Sequence, residues 1–307
     1  MPRSATPEGA LDEAREAITV RHREMQFPGC GDTALRAQAW TPERDPRGII
    51  VISHGLAEHS GRYHGLAERL VAERYAVYAL DHRGHGRSSG NRANVDRFDY
   101  VVSDLVTFIG RSQREHPGVQ AILLGHSMGG AIALAAALRR GSSLRGLVLS
   151  APALSAGETL PALKLLMIRM LSALAPNTGA LSLPAAAVSR DPAVVRAYEN
   201  DPLVHRGAIP ARTLAELLQA MQALQEHAHE LRLPVLVQHG TADSLVPIAP
   251  VQPIYQRLGK PSRRTLQTYQ GLFHEVYNEP ERERVIGDLL TWLAAHASLI
   301  SISSASG

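Results

Sequence analysis

The sequence has a single cysteine, Cys30, so no disulfide can close within the chain, and nothing marks it as a bridge-stapled secreted domain. It has no uninterrupted run of the about 18 apolar residues that a membrane-spanning helix needs. Its first residues, MPRSATPEGALDEAREAITVRHR, lack the apolar stretch of a signal peptide. A cytoplasmic location is therefore expected. Lysine is almost missing: Lys164 and Lys260 are the only two, and arginine supplies the other thirty of the thirty-two basic residues, which reads as a compositional bias rather than a function. Nor is there a block of one charge. The net charge is +3, and the basic residues are dispersed among Asp and Glu, so no nucleic-acid partner is expected.

What is present suits a well-packed α/β protein. At 307 residues and 45% hydrophobic composition the chain can bury a full core. Its 25 glycines and 19 prolines are spread along the length, as many short connections require. Short apolar runs at 49–52, 76–80, 121–124, 147–149 and 235–237 read as strands buried on both faces. Helical stretches fall between them, at 103–114 and at 130–140 closed by Gly141, and a last helix follows Pro280 with Val285, Ile286, Leu289, Leu290 and Leu293 on one face. This alternation predicts a mostly parallel central sheet flanked by helices. From 152 to 229 the alternation stops, and LPALKLLMIRMLSALAP opens a helical insertion. The expected organisation is a core of 1–151 and 230–297, a helical cap of 152–229, and a small polar tail, 298–307, expected to be disordered.

One segment carries chemistry. QAILLGHSMGGAIAL sets Gly-His-Ser-Met-Gly directly after a buried strand and directly before a helix. Such a turn strains the serine backbone and lifts its hydroxyl above the sheet, with the helix N-terminus behind it. Ser127 is thus the candidate nucleophile. A serine hydroxyl needs a base, and the base an orienting acid. The chain supplies them in order: Asp243 in HGTADSLVP after the strand PVLVQ, and His274 in QGLFHEVYNEPE after the strand TLQTY. Alone, Asp243 reads as a turn residue and His274 as a surface-loop histidine. Their order after Ser127, in loops at strand ends, argues for catalysis. Glu275 is a competitor for the acid, but an i+1 side chain points away. The oxyanion donors expected from placement are the backbone N–H groups of Leu56, in the HGLAEHSGRY segment after IIVIS, and Met128.

Rival motifs fail on spacing. HGLAEH is one residue too long for the zinc pattern H-x-x-E-H, GHGRSSG is one too long for the dinucleotide fingerprint, and no P-loop occurs. His82 and His85 lack a third ligand at plausible spacing, so they read as a tight loop. No cofactor and no metal is expected.

Taken together, HGLAEHSGRY, ALDHRGHGRS, LGHSMGG, LVLSAPA, YENDPL, HGTADSLVP and HEVYNEPER resemble the monoacylglycerol lipase family in its bacterial form, over about residues 25 to 295. The resemblance implies an α/β-hydrolase fold with a helical cap after the sixth strand. By motif its triad is Ser127, Asp243 and His274, and Glu58, Arg62 and Tyr198 fall near the glycerol end of the substrate. Tyr277 departs from the pattern, standing where mammalian relatives have a second histidine. The implied reaction is hydrolysis of a monoacylglycerol through an acyl-serine. A broader carboxylesterase or lysophospholipase is the alternative within that chemistry, and a non-catalytic receptor on the same fold is the alternative outside it. One further expectation concerns the first cap helix: Leu163, Leu166, Met167, Met170, Leu171 and Leu174 pack inward, while Leu165 and Ile168 meet a lipid surface, flanked by Lys164 and Arg169.

Overall fold

The computed structural model describes residues 20–155 and 162–297. The expected disordered tail and the first nineteen residues lie outside them. Eight strands form one sheet: β1 (Arg21–Pro28), β2 (Ala34–Thr41), β3 (Gly48–Ser53), β4 (Tyr75–Leu80), β5 (Ala121–His126), β6 (Leu144–Ser150), β9 (Val235–Gly240) and β10 (Arg264–Tyr269), in the order β1-β2-β4-β3-β5-β6-β9-β10. From β4 to β10 every pairing is parallel; β2 pairs antiparallel with both β1 and β4. Every residue of β3, β4, β5 and β9 is buried, which is why these strands read as continuous apolar runs.

Helices cover both faces. On one, α2 (Phe98–Arg114) and α3 (Met128–Arg140) contribute Val101, Leu105, Phe108, Ile132 and Leu134 to a core shared with β3, β5 and β6. On the other, α1 (His64–Ala72) and α8 (Arg282–Ala297) supply Leu66, Leu70, Val285, Ile286, Leu289 and Leu293. The predicted strands and helices are all present, α2 and α3 starting a few residues earlier than expected. The β1–β2 hairpin was not expected. Only Phe27 of β1 is buried, and β2 hides Leu35, Ala37 and Ala39 alternately with Arg36 and Gln38 before the buried Trp40, so neither strand shows a continuous apolar run.

Between β6 and β9 lie α4 (Ala162–Leu174), α5 (Pro192–Asn200) and α6 (Ala211–His227), and α7 (Ile248–Tyr255) follows β9. The insertion is not wholly helical: β7 (Gly179–Leu181) and β8 (Ile209–Pro210) make a short antiparallel ladder. Two or three residues are too few to show strand periodicity in a sequence. The foot of α6 is tied to the core by Thr213, whose hydroxyl donates to Ala93 O and accepts from Val95 N at 2.8 Å each. Glu216 accepts from Phe98 N, the first residue of α2.

α4 corrects the expectation for its faces. Leu166, Met167, Met170 and Leu174 are exposed, whereas Leu165, Ile168 and Leu171 are half-buried. Residues 165, 168 and 171–172 share one helical face, and that narrower stripe docks inward. Counting leucines and methionines favoured the wider stripe because both faces of α4 are apolar.

Candidate active site

Ser127 sits at the turn from β5 into α3 with φ 54° and ψ −122°, a conformation that costs a non-glycine residue about 1–3 kcal/mol. The turn is held by Ser127 N donating to Ser150 O and by Ser127 O accepting from Gly130 N and Ala153 N. The flanking glycines are required by contact. A Cβ on Gly129 would lie 2.1 Å from Ser53 O, and one on Gly125 would lie 2.4 Å from Gly129 O. Without side chains there, the start of α3 packs directly on the end of β3, where the Leu56 loop begins.

Asp243 and His274 leave the ends of β9 and β10. Asp243 Oδ2 accepts from His274 Nδ1 at 2.7 Å, while Oδ1 accepts from the N–H groups of Leu245 and Val246 at 2.9 Å. Burial opposes charge on Asp243, but hydrogen bonds from His239 and His274 prevail and hold its carboxyl well below the usual carboxylate range. With Nδ1–H committed to the carboxylate, Nε2 of His274 is left bare to accept a proton. The adjacent His126 does not compete for it. Its ring lies 4.6 Å from that of His274, and burial, reinforced by His274, lowers it to about 4.

Ser127, His274, Leu56 and Met128 all line one cavity of about 490 Å³. Its remaining lining divides by chemistry. Ile168, Leu183, Leu214, Leu217, Leu218 and Met221, from the insertion, make an apolar wall, and Glu58, His126, Tyr198 and Glu275 make a polar one.

The polar wall is a buried network. Glu58 Oε1 accepts from Gly55 N at 2.6 Å and from the Tyr63 hydroxyl at 2.8 Å, and Oε2 accepts from Arg62 at 3.0 Å. Arg62 also grips both oxygens of Glu275 and lies 4.8 Å from the Tyr198 ring centre. Burial disfavours charge on Arg62, yet Glu275 and Glu58 outweigh it and raise its basicity; burial likewise disfavours charge on Glu275, and Arg62 holds it below the usual range. Tyr198 is pushed up to about 12 by burial and by Glu58, so its hydroxyl stays protonated. Of the three residues expected near a glycerol end, Glu58 and Tyr198 line the cavity and Arg62 stands behind them. Neither Glu58 nor Arg62 is a solvated surface charge: their side chains are 5% and 10% exposed.

Sequence reasoning missed Glu275 as Arg62's partner, because two residues 213 positions apart carry no local signal. It was right that Glu275 points away from the triad. Tyr277 turns its hydroxyl to Gln238 Oε1 at 2.5 Å and lines a smaller recess behind His126 rather than the main cavity. His54 was also missed. Its Nε2 accepts from His82 N, so Nδ1 carries the proton that goes to Gly55 O at 2.7 Å, which fixes the start of the Leu56 loop. Among the described residues no cluster of His, Cys, Asp or Glu could hold a metal ion.

Known proteins share this arrangement's framework. The family described as Serine aminopeptidase, S33 matches residues 44–281. A monoacylglycerol lipase of Mycolicibacterium smegmatis is 41% identical over 91% of this chain and 99% of its own length. A human monoglyceride lipase is 33% identical over 88% of this chain and 90% of its own. The crystal structure of a Paleococcus ferrophilus monoacylglycerol lipase superposes with a TM-score of 0.74 at 29% identity, covering 91% of this chain and all of that one. Fold, serine turn and relatives over nearly the whole length agree, and the chain belongs to the monoacylglycerol lipase family of the α/β-hydrolase superfamily.

Proposed function

We propose that the protein hydrolyses monoacylglycerols to free fatty acid and glycerol. The observation that carries this reading is the two-sided cavity: an apolar wall for one acyl chain meets a compact polar wall at the serine. Ser127 Oγ attacks the ester carbonyl as His274 Nε2 takes its proton, and Asp243 steadies the imidazolium. The N–H groups of Leu56 and Met128 receive the oxyanion. Collapse passes the proton from His274 to the departing glycerol oxygen and leaves an acyl-serine. Water, deprotonated by the same histidine, then releases the fatty acid. Glu58 and the Tyr198 hydroxyl bond the glycerol hydroxyls, with Arg62 holding both from behind.

Residues 152–229 act as the cap that roofs the acyl wall. The exposed Leu166, Met167, Met170 and Leu174 of α4, with Lys164 and Arg169 exposed beside them, suit transient contact with a lipid surface. No described helix is long and apolar enough to cross a membrane.

The test compares mono- and triacylglycerols of one acyl chain in mixed micelles. A triacylglycerol would push two apolar chains against Glu58 and Tyr198. Those chains offer neither group a partner in place of the glycerol hydroxyls, and at about 1–3 kcal/mol for each missing bond the monoester should be favoured about a hundredfold. Equal rates would reduce the assignment to a general esterase. Mass spectrometry after fluorophosphonate treatment should find the adduct on Ser127, and an unlabelled serine would revive the receptor alternative.

A further inference from the structure

The polar wall carries more negative than positive charge. Glu58 and Glu275 both line the cavity, while Arg62, the cation between them, does not. Nor is Arg62 able to turn toward a ligand. Its Nη1 serves Glu58 and Glu275, its Nη2 serves Glu275, and it lies against Tyr198 with a side chain 10% exposed. Two carboxylates against one guanidinium leave the cluster one negative charge. Asp243 adds a second beyond His274. Among the described residues, the one cationic side chain in the cavity lining apart from the histidines is Lys164, which is exposed on α4 and screened by water.

From this geometry we infer that Glu58 is a specificity-determining residue: it makes the enzyme reject anionic head groups, so that esters of neutral alcohols are cleaved and acylglycerol phosphates are not. The inference rests on the monoacylglycerol reading and deepens it. A phosphate on the far glycerol carbon would enter the polar wall and, at a separation of about 6 Å from the Glu58 carboxylate, meet a like charge. At an effective dielectric of about 20 that like-charge contact lowers turnover about a hundredfold per unit charge. The bonds that Glu58 accepts from Gly55 N and Tyr63 fix its carboxylate in place, so it cannot swing away from the incoming charge.

The experiment measures kcat/KM for a 1-acylglycerol, for its 3-phosphate and for the aryl ester of the same fatty acid, in wild type and Glu58→Gln. Glutamine keeps an oxygen to accept from Gly55 N and removes the charge, and the aryl ester reports any damage to the acylation machinery. Wild type should prefer the neutral glycerol ester by about a hundredfold or more, less so at high salt, and Glu58→Gln should shrink that preference at least tenfold. An unchanged ratio would overturn the inference. Should the variant not fold, the wild-type rate on a dimethylated, uncharged phosphotriester decides: turnover near that of the acylglycerol supports charge exclusion, and rejection equal to that of the free phosphate shows size instead. A wild type inactive on the 1-acylglycerol itself would refute the proposed function, not this inference alone.

Discussion

Arg62 and Glu275 form a bidentate pair across the two loops that flank Ser127, Nη1 to Oε1 at 2.5 Å and Nη2 to Oε2 at 2.7 Å. Glu275 directly follows His274, and Arg62 also holds Glu58, which receives the Gly55 N–H beside Leu56. One guanidinium thus ties the loop of His274, the proposed general base, to the loop of Leu56, a proposed oxyanion donor. The same Glu275 takes its backbone bond to Val188 O, in the insertion, so three segments converge on this pair.

Arg62→Ala should therefore be costly in stability and in rate. It leaves two buried carboxylates without their cation, a loss of about 3–5 kcal/mol. For a domain of this size that lowers the melting temperature by about 10 °C. Because both loops lose their tie, kcat should fall on glycerol and aryl esters alike, whereas Tyr198→Phe should slow the glycerol ester selectively. Arg62→Lys keeps the charge but not the two-pronged grip and should restore only part of the stability. A melting temperature unaltered in Arg62→Ala would count against the clamp.

Ser127 predicts a stability gain bought by loss of activity. Ser127→Ala and Ser127→Gly should each remove ester hydrolysis by about 10⁴-fold or more, and Asp243→Asn nearly as much. Only glycine relaxes at φ 54°, ψ −122°. Its relief of about 1–3 kcal/mol matches or exceeds the about 0.5–1 kcal/mol of extra chain entropy it loses on folding. Ser127→Gly should melt above Ser127→Ala in paired scans. The reverse order would mean that the turn is unstrained.

The sheet was legible because β3, β4, β5 and β9 are buried on both faces and so write themselves as apolar runs, as IIVI and AILL do. The candidate triad was legible because strand order fixes chain order: Ser127, Asp243 and His274 each follow a strand that could be read. What could not be read depends on distance or on two-faced patterns. Arg62 and Glu275 meet across more than two hundred residues, and the apolar residues of α4 cover both faces, so periodicity alone chose the wrong side.

Acid should destabilise the fold well before the carboxylates titrate. Burial lowers His54 to about 4 and His85 to about 3, pushes His82 well down, and with His274 lowers His126 to about 4. Unfolded, these histidines bind protons near their ordinary value of about 6.5. Between the two values the unfolded state holds more protons, so stability rises with pH and is lost as pH falls through the window from about 6.5 toward 4. By pH 5 the loss is about 2 kcal/mol each for His54 and His126. Asp243 and Glu275, both held low, add to the loss only at more acid pH. Urea unfolding at pH 7, 6 and 5 should show the uptake of several protons, and a constant free energy across that range would show these rings already charged in the fold.

The last prediction concerns the outer face of α4. Leu174 is 81% exposed, Met167 61%, Met170 54% and Leu166 53%, a continuous apolar surface that water alone would not favour. Their inward neighbours Leu165 and Ile168 are half-buried, and Ile168 lines the apolar wall of the cavity. If the outer face meets lipid, Met167→Glu with Met170→Glu should weaken co-sedimentation with liposomes while leaving the melting temperature within about 1 °C, since exposed substitutions cost about 0.5 kcal/mol or less each. Turnover of a water-soluble aryl ester should hold, and turnover of vesicle-borne substrate should fall with binding. Ile168→Glu should do the opposite: it places a charge in the acyl wall, so aryl-ester turnover with a long acyl chain drops even without liposomes. Vesicle binding that survives the Met167 and Met170 changes would refute the docking role of this face and leave α4 as a roof over the acyl wall alone.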